Sequence, residues 1–122
     1  MTTILVVDDN PMNIDLLLQF FEMKGYKTLT ASNGEEALVS VAAEQPDLII
    51  MDMSMPILSG WETTRQLKSN PATSAIPVLA LTAHAMKADQ QRAIDVGCDG
   101  YMVKPMDLIE LDATMTALLN RR

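Results

Sequence analysis

Three short runs of consecutive apolar residues limit what this chain can fold into. They are Ile4-Leu5-Val6-Val7, the segment Asp47-Leu48-Ile49-Ile50-Met51 and Val78-Leu79-Ala80-Leu81. None alternates polar with apolar, as a strand with one wet face would. A strand buried on both faces belongs to a parallel sheet with helices above and below it. Two weaker candidates, Lys27-Thr28-Leu29-Thr30 and Tyr101-Met102-Val103, complete a set of five. Helix signals fall between them. Asn10 before Pro11 reads as an N-cap followed by the first helical residue. Asn33 with Glu36, Ser59 with Glu62, and Asp107 with Glu110 have capping-box spacing. Gly25 and Gly97 stand where helices should stop. The expected fold is α/β, a (βα)5 doubly wound five-stranded parallel sheet. Right-handed crossovers make the strand order 2-1-3-4-5. Such a sheet binds ligands at the carboxyl ends of its strands, beside the point where the chain reverses direction.

The chain has 122 residues, which suits one domain over 1–122. Its apolar share of 48% is enough to build one core. A net charge of −7 repels a nucleic-acid backbone, so no direct nucleic-acid partner is expected. No apolar run approaches the roughly 20 residues of a membrane span. The start Met1-Thr2-Thr3-Ile4 lacks the basic and apolar regions of a signal peptide. The single cysteine, Cys98, rules out an internal disulfide and fits a reducing cytoplasm. A buried apolar role for it outweighs a redox one.

The residues closing the strands carry the chemistry. Strand 1 runs into Asp8-Asp9, strand 3 into Asp52, strand 4 into Thr82 and strand 5 into Lys104-Pro105. An aspartate at a strand end often only starts a turn. Three of them on one edge repel one another, and a fold tolerates that when a cation or a lysine compensates. Carboxylates without His or Cys favour Mg²⁺, with Mn²⁺ as a substitute, over zinc. Asp9 and Asp52 are expected to ligate directly, Asp8 through water, with a backbone carbonyl from Ser54 completing the protein's share. A carboxylate can also act as a covalent nucleophile toward phosphorus. The charge spread over the phosphoryl oxygens would be met by the cation and Lys104, with a hydrogen bond from Thr82.

These residues resemble the signature of response-regulator receiver domains, whose fold is flavodoxin-like. The acidic pair Asp8-Asp9 matches. So do Thr82-Ala83, Lys104-Pro105 and the segment Asp52-Met53-Ser54-Met55-Pro56-Ile57-Leu58-Ser59-Gly60, against a pattern D-x-x-M-P, three residues, then G. The resemblance implies a phosphoacceptor switch of a two-component or phosphorelay system rather than an enzyme with turnover. Asp52 would take its phosphoryl group from the phosphohistidine of a sensor histidine kinase or a histidine phosphotransfer domain. Asp8 and Asp9 would hold Mg²⁺ and Lys104 would contact the phosphoryl oxygens. The Lys104-Pro105 bond would be cis. Phosphorylation would pull Thr82 toward Asp52 and turn Tyr101 inward. The face of strand 4, helix 4 and strand 5 would then change its binding to a downstream effector. Ser54 and His84 hold positions that tune how long the acyl phosphate lasts.

The first helix is more apolar than one buried face requires. Leu16, Leu17, Phe20 and Phe21 form one stripe, with Ile14 and Leu18 on its flank. Ile14 and Leu18, with Pro105 and Met106, are candidates for docking the histidine donor. Met53, Met55, Met86 and Met106 are expected to rim the same edge, with some of them filling the core instead. The last helix carries Leu108, Leu111, Met115 and Leu118 on one stripe; as a full product the chain would be a stand-alone receiver, and as a fragment it would belong to a larger hybrid kinase or regulator. Three rivals share parts of the pattern. A flavodoxin needs a hydroxyl- and glycine-rich loop where this chain has Asp-Asp-Asn-Pro. A small phosphohydrolase with an aspartate nucleophile usually carries a second aspartate where this chain has Ser54. A phosphorylation-independent interaction module leaves the acidic trio and Lys104 unexplained.

Overall fold

The computed structural model describes residues 1–53, 55, 57–83, 87–104 and 107–121. Five strands alternate with five helices: β1 (Thr3–Val7), α1 (Pro11–Met23), β2 (Lys27–Ala31), α2 (Gly34–Ala43), β3 (Leu48–Asp52), α3 (Gly60–Ser69), β4 (Val78–Thr82), α4 (Lys87–Val96), β5 (Gly100–Val103) and α5 (Leu108–Arg121). All neighbouring strands are parallel, in the order β2-β1-β3-β4-β5. The fold class and strand order are those expected from the pattern of apolar runs. The three strongest runs are the three central strands, buried along their whole length. The two weaker runs are the sheet edges, where part of each strand meets water and needs fewer apolar residues.

Alternation along the central strands divides the core into two layers. Leu5, Val7, Ile49, Met51, Val78 and Ala80 face α2, α3 and α4, meeting Ala37, Val41, Leu67 and Ala93. Ile4, Val6, Leu48, Ile50, Leu79 and Leu81 face α1 and α5, meeting Leu17, Phe21, Leu111, Met115 and Leu118. No helix is long and apolar enough to cross a membrane among the described residues.

The helix signals act as read. Asn10 caps α1 through its side chain, with Pro11 in the first turn. Asn33, Ser59 and Asp107 accept from backbone N–H groups of the first turns of α2, α3 and α5. The boxes are only partly reciprocal. The Glu36 carboxylate accepts from the backbone N–H of Ser32, and Glu62 turns to Arg65 instead. Gly25 and Gly97 take φ of +78° and +98°. After each glycine the chain closes a two-bond terminus: Gly25 N–H to Glu22 and Tyr26 N–H to Phe21, then Gly97 N–H to Ile94 and Cys98 N–H to Ala93.

Two expectations need correction. Met53 and Met55 are buried core residues rather than rim. The ladder outlasts β3 by one residue, since Met53 N–H donates to Leu81 C=O at 3.0 Å, and this turns the Met53 side chain inward. On α1 the apolar stripe is split: Leu17 and Phe21 are fully buried, but Leu16 is 46% exposed. Ile14 is half-buried and packs on the layer around Phe21, and Leu18 is also half-buried. The openly exposed apolar side chains of α1 are Met12, Leu16 and Met23.

Candidate functional site

Parallel register delivers the site. Val7 of β1 pairs with Met51 of β3, Asp52 of β3 with Leu81 of β4, and Thr82 of β4 with Val103 of β5. The first polar residue after each apolar run therefore reaches the same sheet edge. Backbone bonds extend the strands through it: Asp8 N–H donates to Ala31 C=O at 3.1 Å and Lys104 N–H to Thr82 C=O at 2.8 Å.

Asp8 and Asp52 are almost sealed from water, at 1% and 3% exposure, while Asp9 stands exposed. One carboxylate oxygen from each lies within 4.8 Å of the others. Lys104 divides itself between the two buried acids. Its Nζ is 3.3 Å from Asp8 Oδ2 and 3.3 Å from Asp52 Oδ2. One ammonium facing three carboxylates leaves an excess of negative charge that a divalent cation would neutralise. The all-oxygen donor set and the open side at Asp9 fit a hard ion such as Mg²⁺. Asp8 is further engaged: Oδ1 accepts from Asn10 N–H at 2.9 Å and Oδ2 from the Asn13 amide at 3.4 Å.

Thr82 is buried on the next strand, and its side chain hydrogen-bonds the Tyr101 hydroxyl of β5. Tyr101 is half-buried against the α2–α3–α4 layer. Burial, with the Asp89 carboxylate of α4 nearby, pushes its phenol above the ordinary range. Asp8, Asp9, Asp52, Thr82 and Lys104 thus converge, and Tyr101 touches the group through Thr82. Ser54, His84, Pro105 and Met106, the Lys104-Pro105 bond and Met86 lie outside the described residues.

Two contacts near the site, and the physical reason for one matched glycine, were not read from the sequence. Asn13 reaches back from the first turn of α1 to Asp8. A Cβ on Gly60 would fall inside the van der Waals shell of the Asp52 carbonyl oxygen and 2.7 Å from Met53 Cα. The glycine in the matched segment is therefore required by the close approach of α3 to the end of β3. Arg92 of α4 lies 4.5 Å from the ring centroid of Trp61 on α3, joining the two helices that flank the Tyr101 side.

Comparison with known proteins agrees with this geometry. The family described as the response regulator receiver domain matches residues 4–116. The polar-differentiation response regulator DivK of Brucella anthropi is 38% identical over 117 residues, covering 96% of this chain and 95% of the relative. The receiver domain of a signal transduction histidine kinase from Syntrophus aciditrophicus superposes with a TM-score of 0.92 at 34% identity, covering 98% of this chain and 91% of that one. The receiver domain of the sensor histidine kinase PA1611 from Pseudomonas aeruginosa, which has a magnesium ion coordinated in its active site cleft, gives 0.90 at 28% identity, covering 98% of each chain.

Proposed function

This chain belongs to the response-regulator receiver family, whose members are phosphoacceptor switches of two-component signalling, and from that premise we propose that Asp52 is its phosphoacceptor. The donor is a phosphohistidine on a sensor histidine kinase or a histidine phosphotransfer domain. A carboxylate oxygen of Asp52 attacks phosphorus and forms the new O–P bond. The N–P bond breaks, and its electron pair stays on the donor imidazole.

The observation that carries this reading is the placement of Lys104, equidistant at 3.3 Å from Asp8 Oδ2 and Asp52 Oδ2. A lysine held by two anions is already at the place where phosphoryl oxygens arrive, and needs no reorganisation to meet their charge. Receiver domains bind Mg²⁺ at an acidic site, and the three aspartates here form such a cluster. Asp9 and Asp52 would hold the ion directly, Asp8 would hold it through water, and the Ser54 carbonyl would complete the set. The ion supplies charge neutralisation on the transferring group, and Mn²⁺ would serve in its place. Thr82 donates its hydroxyl to a phosphoryl oxygen, which removes it from Tyr101. The switch reaches the β4–α4–β5 face by this exchange and alters binding of an effector protein. Ser54 and His84 adjust how long the acyl phosphate survives. The reaction is single and stoichiometric, and its setting is the cytoplasm.

Labelling with acetyl phosphate tests the assignment. The parent chain should take up one phosphoryl group with Mg²⁺ and none with a chelator. Asp52→Asn should abolish uptake. A normal yield of phosphoprotein from that variant refutes the assignment, and turnover of a phosphate ester would favour a phosphohydrolase.

A further inference from the structure

Asp8 is more heavily engaged than a simple cation ligand needs to be. A carboxylate offers about four lone-pair positions. On Asp8 three are taken, by Asn10 N–H at 2.9 Å, Lys104 Nζ at 3.3 Å and the Asn13 amide at 3.4 Å. Lys104 and Asn13 share one oxygen, Oδ2, and approach it at nearly equal distance. They come from different elements: Lys104 follows β5, and Asn13 stands in the first turn of α1. The two act differently. Lys104 carries charge and is shared with Asp52, whereas Asn13 is neutral and has no second carboxylate among its hydrogen bonds to the described residues.

We propose that Asn13 is a positioning residue that holds the Asp8 carboxylate toward α1 and thereby sets the affinity of the acidic site for a divalent cation. The inference rests on reading Asp8, Asp9 and Asp52 as a cation site. Without the Asn13 amide, Oδ2 is left to Lys104 alone. At 1% exposure, Asp8 has no bulk water to replace the lost donor. The carboxylate then turns into a closer ion pair with Lys104, and a cation must break that pair before it can use the site. Asn13 keeps the lysine shared and the aspartate aimed. A second consequence follows for phosphorylation: when Lys104 is drawn to a phosphoryl group on Asp52, Asn13 and Asn10 N–H are the donors that stay with Asp8. Partners of this kind typically change metal affinity ten- to a hundredfold, and a 3.4 Å contact to a neutral donor belongs at the lower end, about tenfold.

The test is a Mn²⁺ titration followed by loss of the free-ion paramagnetic resonance signal. Asn13→Leu keeps the side-chain shape, removes the donor and has the higher helix propensity, so α1 is not weakened. A thermal melt in chelator should show a single cooperative transition, which establishes that the variant folds. Half-saturation should require about tenfold more Mn²⁺, and Asn13→Gln, which keeps an amide donor, should return to within about threefold of the parent. An Asn13→Leu chain within about twofold of the parent, or an Asn13→Gln chain as weak as Asn13→Leu, overturns the role of Asn13 and leaves the cation site standing. A parent chain that binds no Mn²⁺ overturns the site itself, and this inference with it.

Discussion

Asp52→Asn should make the metal-free fold more stable while abolishing its chemistry. At an effective dielectric of about 20, Asp52 and Asp8 within 4.8 Å of each other repel by at least about 3.5 kcal/mol. Asp9 lies within the same distance but is exposed, so solvent reduces its share to about 1 kcal/mol. Against this, Lys104 at 3.3 Å attracts Asp52 by about 5 kcal/mol on the same scale. The Coulomb terms cancel to within about 1 kcal/mol, and Lys104 keeps Asp8 as a partner after the change. Desolvation then decides the sign. Holding an ionised carboxylate at 3% exposure costs several kcal/mol, while an asparagine amide that loses a hydrogen bond there costs about 1–3 kcal/mol. The net expectation is about 2 kcal/mol of added stability in chelator, a rise in Tm of roughly 5–10 °C for a chain of this size. Mg²⁺ should reverse the order, because a ligand at a hundredfold excess over Kd adds about 2.7 kcal/mol to the parent alone. Thermal melts of both chains, with chelator and with Mg²⁺, measure all four states. If Asp52→Asn melts below the parent in chelator, the reasoning that electrostatic burial loads this site is wrong.

Gly60→Ala should cost about 3 kcal/mol and slow acetyl-phosphate labelling, because the added methyl must displace the Asp52 and Met53 backbone; a melt and a labelling time course check both. Arg92→Gln should lower stability by about 0.5 kcal/mol, as an exposed cation–π contact is worth, and should shift the emission of Trp61, the chain's single tryptophan; unchanged emission would deny the contact in solution. Burial pushes the Cys98 thiol up to about 12, from an ordinary 9.0. A folded-state value above the unfolded one contributes stability that is full below about pH 9 and is lost as pH rises toward 12. Native Cys98 should therefore resist a thiol reagent at pH 8, and Cys98→Ala should flatten the alkaline loss of stability; rapid stoichiometric reaction of the native chain would contradict its burial.

How much of this was readable from the residues follows from the range of each interaction. Strand identity and order were legible because a parallel sheet writes burial directly into sequence as unbroken apolar runs, strongest in the middle and weakest at the edges. The placement of Asp8, Asp9, Asp52, Thr82 and Lys104 followed, since polar residues closing such runs are brought to one edge by parallel register. The Asn13 contact was not legible, because an asparagine in the first turn of a helix usually faces water and no sequence pattern pairs it with Asp8. Nor was the Arg92–Trp61 contact, which joins two helices without any periodicity to announce it. Met53 was expected on the rim because it follows an acidic strand end, and one further ladder bond makes it core.

Ile57 shows where local preference and fold part company. A β-branched residue at φ +69° occupies the left-handed region at a cost, and this one is 74% exposed, so it recovers little by packing. It sits in the segment between Asp52 and α3. That segment is fixed at its far end, where Leu58 C=O accepts from Gly34 N–H and Gly60 presses on the Asp52 backbone. Crowded carboxylates, a strained isoleucine and a glycine without clearance all lie within eight residues of Asp52 or across the sheet edge from it. The helix caps, the glycine stops and the two packed layers described above agree with local preference. A fold that places crowded carboxylates at one edge holds that edge in reserve: a divalent cation arriving there relieves their repulsion, and the cation and Lys104 together would then meet the negative charge that a phosphoryl group brings.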